Sequence, residues 1–257
     1  MKSRHAVVTG VSSGIGAACA DLLLRQGYQV TGVDVRGPTD FPGRFVQADL
    51  SDAASVAAAV SAIEGPIDVL CNVAGLPGSQ PSQQILAVNV LGLRTLTQGL
   101  LDRMARGSVV VNLASLAGSG WRDRLSEIHD LLATSDWAEA REWIANHPRA
   151  PDDAYRFSKE CVIVATAQWA AKHVEREVRF VSVSPGPVAT PILEDFRRSM
   201  APGQVDAAIG AVGRAATALD IAQAVLLLAG DQAGWINGID LPVDGGLSAV
   251  RRYGPVR

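Results

Sequence analysis

Cysteine, histidine, basic runs and long apolar runs are all scarce in this sequence, and each scarcity removes a class of function. The three cysteines, Cys19, Cys71 and Cys161, are odd in number and widely spaced, which argues against a disulfide framework and against a zinc site. Each stands in an apolar run (AACADLLL, VLCNVAG, KECVIVA) and reads as a small buried thiol. The four histidines, His5, His129, His147 and His173, have no paired ligand spacing, so no metal is expected. The net charge is −3 with no Lys/Arg stripe, and nucleic acid is not an expected partner. No apolar run approaches the ~20 residues that cross a bilayer. The start, MKSRHAVVTG, enters an apolar strand too short for a signal peptide. A soluble cytoplasmic protein without a membrane partner is expected.

What is present is an alternation of β-branched runs with longer helical patterns. Strands are predicted over 5–9, 29–34, 44–47, 69–72, 109–114, 179–184 and 239–243, several almost continuously apolar (AVVT, VVVNLA). Helices are predicted over 15–26, 55–63, 83–104, 155–174 and 218–229. That alternation implies a Rossmann-type α/β fold, a doubly wound parallel sheet with right-handed crossovers. There is no internal repeat, low-complexity tract or linker, and residues 1–257 read as a single dinucleotide-binding and catalytic domain. The stretch 119–153 breaks the rhythm as two short amphipathic helices, an insertion placed over the carboxyl edge of the sheet. Leu125, Ile128, Leu131 and Leu132 share one face, Trp137, Ala140, Trp143 and Ile144 another, and Ser135 is the expected N-cap of the second helix.

The first strand runs into GVSSGIG, with Gly10, Gly14 and Gly16 ahead of a helix. Glycines there permit a tight turn and let backbone N–H groups approach a pyrophosphate at the helix N-terminus. Asp34 closes the second strand eighteen residues past Gly16. A carboxylate at that distance accepts from both adenine-ribose hydroxyls and repels a 2′-phosphate, which favours NAD over NADP. Arg36 can instead meet a 2′-phosphate. Asp49 can accept from the adenine amino group or cap the following helix.

These residues resemble the short-chain dehydrogenase/reductase family. Thr9 to Gly16 is similar to its cofactor loop, Asn72-Val73-Ala74-Gly75 to its NNAG turn, Tyr155-Arg-Phe-Ser-Lys159 to its YxxxK motif, and Pro185-Gly186-Pro-Val188-Ala-Thr190 to its PG…T segment. Ser115 precedes Tyr155 by 40 residues, far more than is usual, and the excess is the insertion. The short connection from Gly75 to Asn89 and the C-terminal WINGIDLPVDGG further resemble the bacterial 3α-hydroxysteroid dehydrogenase/carbonyl reductase group. The resemblance implies NAD as cofactor, contacted also through Ser12, Ser13, Ile15, Val35 and Leu50. It implies Asn89, Ser115, Tyr155 and Lys159 as the catalytic set, with Asn89 distorting its helix and binding a water in a proton relay to Lys159. It implies a homodimer or homotetramer built on the helices at 83–104 and 155–174, a surface the insertion either blocks or extends, with the tail RRYGPVR available to a neighbouring subunit.

Chemistry agrees with that set. A free phenol, with a pKa of about 10, is a poor base at neutral pH. An ammonium one helical turn away favours the phenolate, and Tyr155 and Lys159 stand at i and i+4. Ser115, at a strand's carboxyl end, can hold the substrate oxygen. Leu76, Leu116, Trp121, Pro185, Ile192 and Met200 form the expected pocket wall, and no residue demands a charged substrate. An apolar, cyclic secondary alcohol or ketone such as a 3α-hydroxysteroid or terpenoid is therefore expected. A cis-dihydrodiol, a sugar alcohol or an acyl-carrier-bound ketone is the alternative substrate, and a non-catalytic NAD-sensing protein or a scaffold subunit the alternative class. The weakly periodic stretch 192–213 is expected to be a mobile lid over the substrate.

Overall fold

The β-branched runs form one parallel sheet, because helices cover both its faces and leave no face for alternating polar residues. The computed structural model describes residues 4–254. In chain order the elements begin with β1 (His5–Thr9), α1 (Gly14–Arg25), β2 (Gln29–Asp34), β3 (Arg44–Gln47), α2 (Ala53–Ala62), β4 (Ile67–Asn72) and α3 (Ser82–Leu86). A π-helical turn (Ala87–Gly92) leads into α4 (Leu93–Leu100), followed by β5 (Met104–Leu113), α5 (Leu125–Ala133), α6 (Trp137–Asn146) and α7 (Pro151–Lys172). The chain continues through β6 (Arg179–Pro185), β7 (Val188–Ala189), α8 (Leu193–Ser199), α9 (Gln204–Val212), β8 (Ala216–Thr217), α10 (Ala218–Ala229), β9 (Asp240–Val243) and α11 (Leu247–Tyr253). The seven-stranded sheet has the order β3-β2-β1-β4-β5-β6-β9, and β7 pairs with β8 separately. Strand order reverses between β1 and β4, so the crevice beyond Thr9 and Asn72 is where such a sheet binds ligands.

Two cores flank the sheet. Cys19 and Leu23 of α1 and Ile221 and Val225 of α10 pack on one face. Val56 of α2, Leu96 and Leu100 of α4 and Phe180 of β6 pack on the other. All three cysteines are buried and free, and burial pushes the Cys19 thiol up to about 12.

Several predicted boundaries move. The single helix expected over 83–104 is divided, with the π-helical turn at its centre and a 3₁₀ turn (Leu101–Arg103) at its end. β5 begins at Met104 rather than at 109, because its register against β4 shifts between Ile67 and Val69. α7 begins at Pro151, where a missing N–H costs nothing in a first turn, and Asp152 and Asp153 complement the helix dipole. Its end gives way to a 3₁₀ turn at Val174–Arg176. Ser135 is not the N-cap of α6. Asp136 is, accepting from the Glu139 amide, while Glu139 reaches back to Ser135. The stretch expected to be a lid contains two helices, α8 and α9, with Leu193, Val205 and Ala208 buried.

The insertion packs on helices α3 and α7. Ile128, Leu131, Ala140 and Ile144 bury against Ile85, Leu86, Phe157 and Cys161 of α3 and α7. Buried Arg94 of α4 donates to the Thr134 hydroxyl at 2.9 Å and to the Leu131 and Asp136 carbonyls, which latches the turn between α5 and α6. The insertion thus covers its own chain's α7 surface. Of the expected exposed tail, Arg251–Tyr253 end α11 in an exposed position, and residues 255–257 lie outside the described residues, as do residues 1–3 of the start. Among the described residues no helix is long and apolar enough to cross a membrane.

Candidate functional site

The glycine loop is shaped by backbone, not by side chains. Gly10 and Gly14 hold positive φ of 77° and 56°. A Cβ on Gly16 would collide with the Gly10 carbonyl. Ser13 caps α1 without a side-chain hydrogen bond, and the first turn has no acidic residue, so the first N–H groups of the helix remain unspent. The loop opens on a cavity of about 370 Å³, lined also by Asp34, Val35, Asp49, Leu50, Ala74 and Thr190. Asp34 accepts from the Ser12 amide at 3.0 Å, which leaves its carboxylate at the end of β2 beside that cavity. Asp49 accepts from the Ser51 amide and hydroxyl and does not cap α2; Asp52 does. Glycine loop, unspent helix amides and strand-end carboxylate fit a dinucleotide.

Tyr155 and Lys159 project from one face of α7. The Lys159 ammonium donates to the Leu113 carbonyl at 2.8 Å and lies 5.8 Å from the centre of the Tyr155 ring. Burial pushes the Tyr155 phenol up to about 12, against a hydrogen bond from Ser115 that lowers it. Burial brings Lys159 down to about 8, still largely protonated at neutral pH. Ser115 follows β5 and accepts from the Ala117 amide at 3.2 Å. Gly118 must be glycine for this turn to meet α7, since a Cβ would stand 2.7 Å from the Lys159 backbone.

A buried polar ladder fixes this helix against the sheet. Asn72 donates to Thr97 of α4 and to Asn112 of β5, and Asn112 donates to Thr166 of α7, all at 2.8–2.9 Å. Asn89 sits in the π-helical turn. It accepts from the Leu76 amide and donates to the Leu76 carbonyl and the Ser158 hydroxyl. Both side-chain amide donors are therefore engaged by protein. Gly75 lies where a Cβ would press on both Asn89 and Lys159.

A second cavity of about 120 Å³ joins Ser115, Tyr155 and Lys159 to Gly75, Pro185, Gly186, Val188 and Thr190. A third, of about 250 Å³, extends from Ser115 and Tyr155 toward Leu116, Leu193, Phe196 and Met200. Of the expected substrate wall, Leu116 and Met200 stand here with Pro185, whereas Leu76 and Ile192 line the two cavities on the glycine-loop side. Trp121 lines none of the three, because its indole packs against the insertion and α7 and carries the Arg122 guanidinium over its face. Asn72, Ser12 and Arg36 also stand outside the cavity walls; the Asn72 amide nitrogen is spent on the ladder, while its buried Oδ1 has no partner among the described residues. Sequence reading missed Phe196, Leu193 and Val205. An isolated aromatic in a weakly periodic stretch was the only available signal.

Two family models match the chain: short chain dehydrogenase over residues 4–125, and Enoyl-(Acyl carrier protein) reductase over residues 144–248. Coniferyl-alcohol dehydrogenase from Pseudomonas sp. (strain HR199 / DSM 7063) is 38% identical over 251 residues, 97% of this chain and 98% of that protein. The 3-alpha-hydroxysteroid dehydrogenase/carbonyl reductase of Comamonas testosteroni is 28% identical, covering 96% of this chain and 97% of its own. The crystal structure of the 3-alpha-hydroxysteroid dehydrogenase from Pseudomonas sp. B-0831 complexed with NADH superposes with a TM-score of 0.82 at 29% identity, covering 98% of this chain and 100% of that one. The chain belongs to the short-chain dehydrogenase/reductase family, as an oxidoreductase acting on alcohols.

Proposed function

We propose that this chain interconverts a hydrophobic, ring-bearing alcohol and its carbonyl compound with NAD(H), using Tyr155 as the general acid/base. The convergence of Tyr155, Ser115 and Lys159 between the glycine-loop cavity and an apolar cavity carries this reading. Gly10, Gly14, Gly16 and the first amides of α1 would hold the pyrophosphate, and Asp34 the adenine ribose, so NAD is favoured over NADP. Bound there, the nicotinamide supplies the hydride acceptor or donor, which no side chain offers.

The residues then divide the proton work. Tyr155 takes the hydroxyl proton in oxidation and returns it in reduction. Its phenol lies high even with Lys159 in place, so in the reaction the Lys159 ammonium and the positive charge of bound NAD⁺ would act together to bring it toward working pH. Ser115 holds the substrate oxygen and stabilises charge developing on it. Asn89 positions Ser158, whose hydroxyl donates to the Tyr155 carbonyl at 2.7 Å.

The 250 Å³ cavity lies below the roughly 300–1,000 Å³ of pockets for drug-sized ligands. That favours one ring over a four-ring steroid. A secondary ring alcohol is the first reading. A primary aryl-allylic alcohol is the second, favoured by the relative at 38% identity. Mixing the protein with NAD⁺ and single-ring secondary alcohols, cinnamyl-type alcohols and hydroxysteroids, and following absorbance near ~340 nm, tests both. No reduction with any of them would overturn the proposal.

Assembly follows from what the insertion covers. With α7 partly occupied by α5 and α6, the exposed apolar side chains Leu219, Leu227, Trp235, Ile236 and Ile239 around α10 and edge strand β9 support a homodimer through that edge.

A further inference from the structure

The apolar cavity beside Tyr155 has a charged rim of one sign. Arg156, half-buried on α7, and Arg251, exposed on α11, both line it, and no Asp or Glu does. Neither guanidinium makes a hydrogen bond to protein among the described residues. Arg156 forms an exposed i,i+4 ion pair with Asp152, whose carboxylate oxygen is 3.7 Å away and leaves the guanidinium donors unbonded. Other arginines are used differently: Arg124, Arg149, Arg197 and Arg214 are each bonded to a carboxylate. Two guanidiniums with open donors stand at the mouth of one apolar cavity, and Arg251, with no ion pair among the described residues, leaves a net positive rim beside low-dielectric walls. A planar fork of N–H donors matches a carboxylate in particular.

We infer that the alcohol carries a carboxylate remote from the reacting carbon, held by Arg251 and Arg156 while the ring fills the apolar cavity. This rests on the dehydrogenase reading above and narrows its substrate class. It also replaces the expectation that no residue calls for a charged substrate. The ring contacts Phe196 and Met200, the hydroxyl meets Ser115 and Tyr155, and the carboxylate stays at the solvent end, where its desolvation is small.

The test compares 4-(1-hydroxyethyl)benzoate with its methyl ester, in the wild type and in the double variant Arg156→Gln/Arg251→Gln. Binding of the matching ketones, 4-acetylbenzoate and its methyl ester, is measured by calorimetry on protein holding NAD⁺. The acid should exceed the ester by about tenfold or more in kcat/KM, mostly through KM. In the double variant that ratio should collapse toward one, with the same loss in 4-acetylbenzoate affinity. Added salt should raise KM for the acid and leave the ester unmoved. An ester as good as the acid, or a preference that survives in the double variant, overturns the carboxylate inference while the dehydrogenase reading stands. So does oxidation of other uncharged ring alcohols with neither benzoate probe turned over nor either ketone bound. Failure of every alcohol overturns both.

Discussion

Phe196 of α8 packs against the ring of Tyr155, with centroids 5.0 Å apart and planes inclined at 58°. The same side chain walls the apolar cavity, so it both restrains the phenol and limits what reaches it. Tilted aromatic pairs contribute about 0.5–1.5 kcal/mol beyond burial. Phe196→Ala should therefore raise KM for single-ring alcohols about three- to tenfold and admit bulkier ones. Steady-state kinetics across ring sizes checks this; an unchanged size preference would remove Phe196 from the specificity wall.

Asp34 sets cofactor choice in this account. Asp34→Ala removes an acceptor for ribose hydroxyls and the repulsion of a 2′-phosphate. The KM for NAD⁺ should rise about tenfold or more, and turnover with NADP⁺ should improve. An unaltered ratio of kcat/KM for the two cofactors would assign the preference elsewhere.

Lys159 ties function to stability through pH. Its pKa falls from 10.5 in water to about 8 in the folded protein because burial penalises the ammonium. Between those values the unfolded chain holds more protons, so this group makes stability rise with pH; below pH 8 the full penalty is present. Lys159→Met should thus stabilise the protein by about 2–3 kcal/mol at pH 7, with the gain fading as pH approaches 10.5. At pH 7 the Tyr155 phenol is protonated in both proteins and does not enter that comparison. Urea denaturation at pH 7 and pH 10 measures it. The variant should be almost inactive, a stability gain obtained at a functional position. A variant less stable than wild type at pH 7 would contradict the burial penalty.

Trp235 is fully exposed beside edge strand β9, an unusual position for an indole. Trp235→Glu, with Leu227→Glu, should convert a dimer to a monomer in light scattering. An unchanged mass would place the interface on another surface.

The sheet and the glycine loop were legible because their signals are local. Runs such as VVVNLA and the spacing of Gly10, Gly14 and Gly16 act over a few residues, and most strands lie within one or two residues of their predicted bounds. β5 is an exception, since its early start depends on a register shift against Ile67, which no local pattern reports. The insertion's two helices were legible from periodicity, but their docking was not: it depends on Ile85, Phe157 and Arg94, distant in sequence. Tyr155, Lys159 and Ser115 were named through the family resemblance that their motifs carry, and the structure gathers them around one cavity. The substrate wall was read least well. Trp121, expected in the wall, packs into the insertion, while Phe196 and Leu193 reach the cavity from the weakly periodic stretch 192–213 and the rim arginines from α7 and α11.

The most direct measurement is the activity of Tyr155→Phe, which keeps the ring and its contact with Phe196 and removes only the hydroxyl. With NAD⁺ and the best alcohol of the panel, kcat should fall by roughly 10²–10⁴ while NADH binding, followed by fluorescence, stays within about twofold of wild type. Turnover within a few-fold of wild type would contradict the assignment of the proton transfer to this phenol.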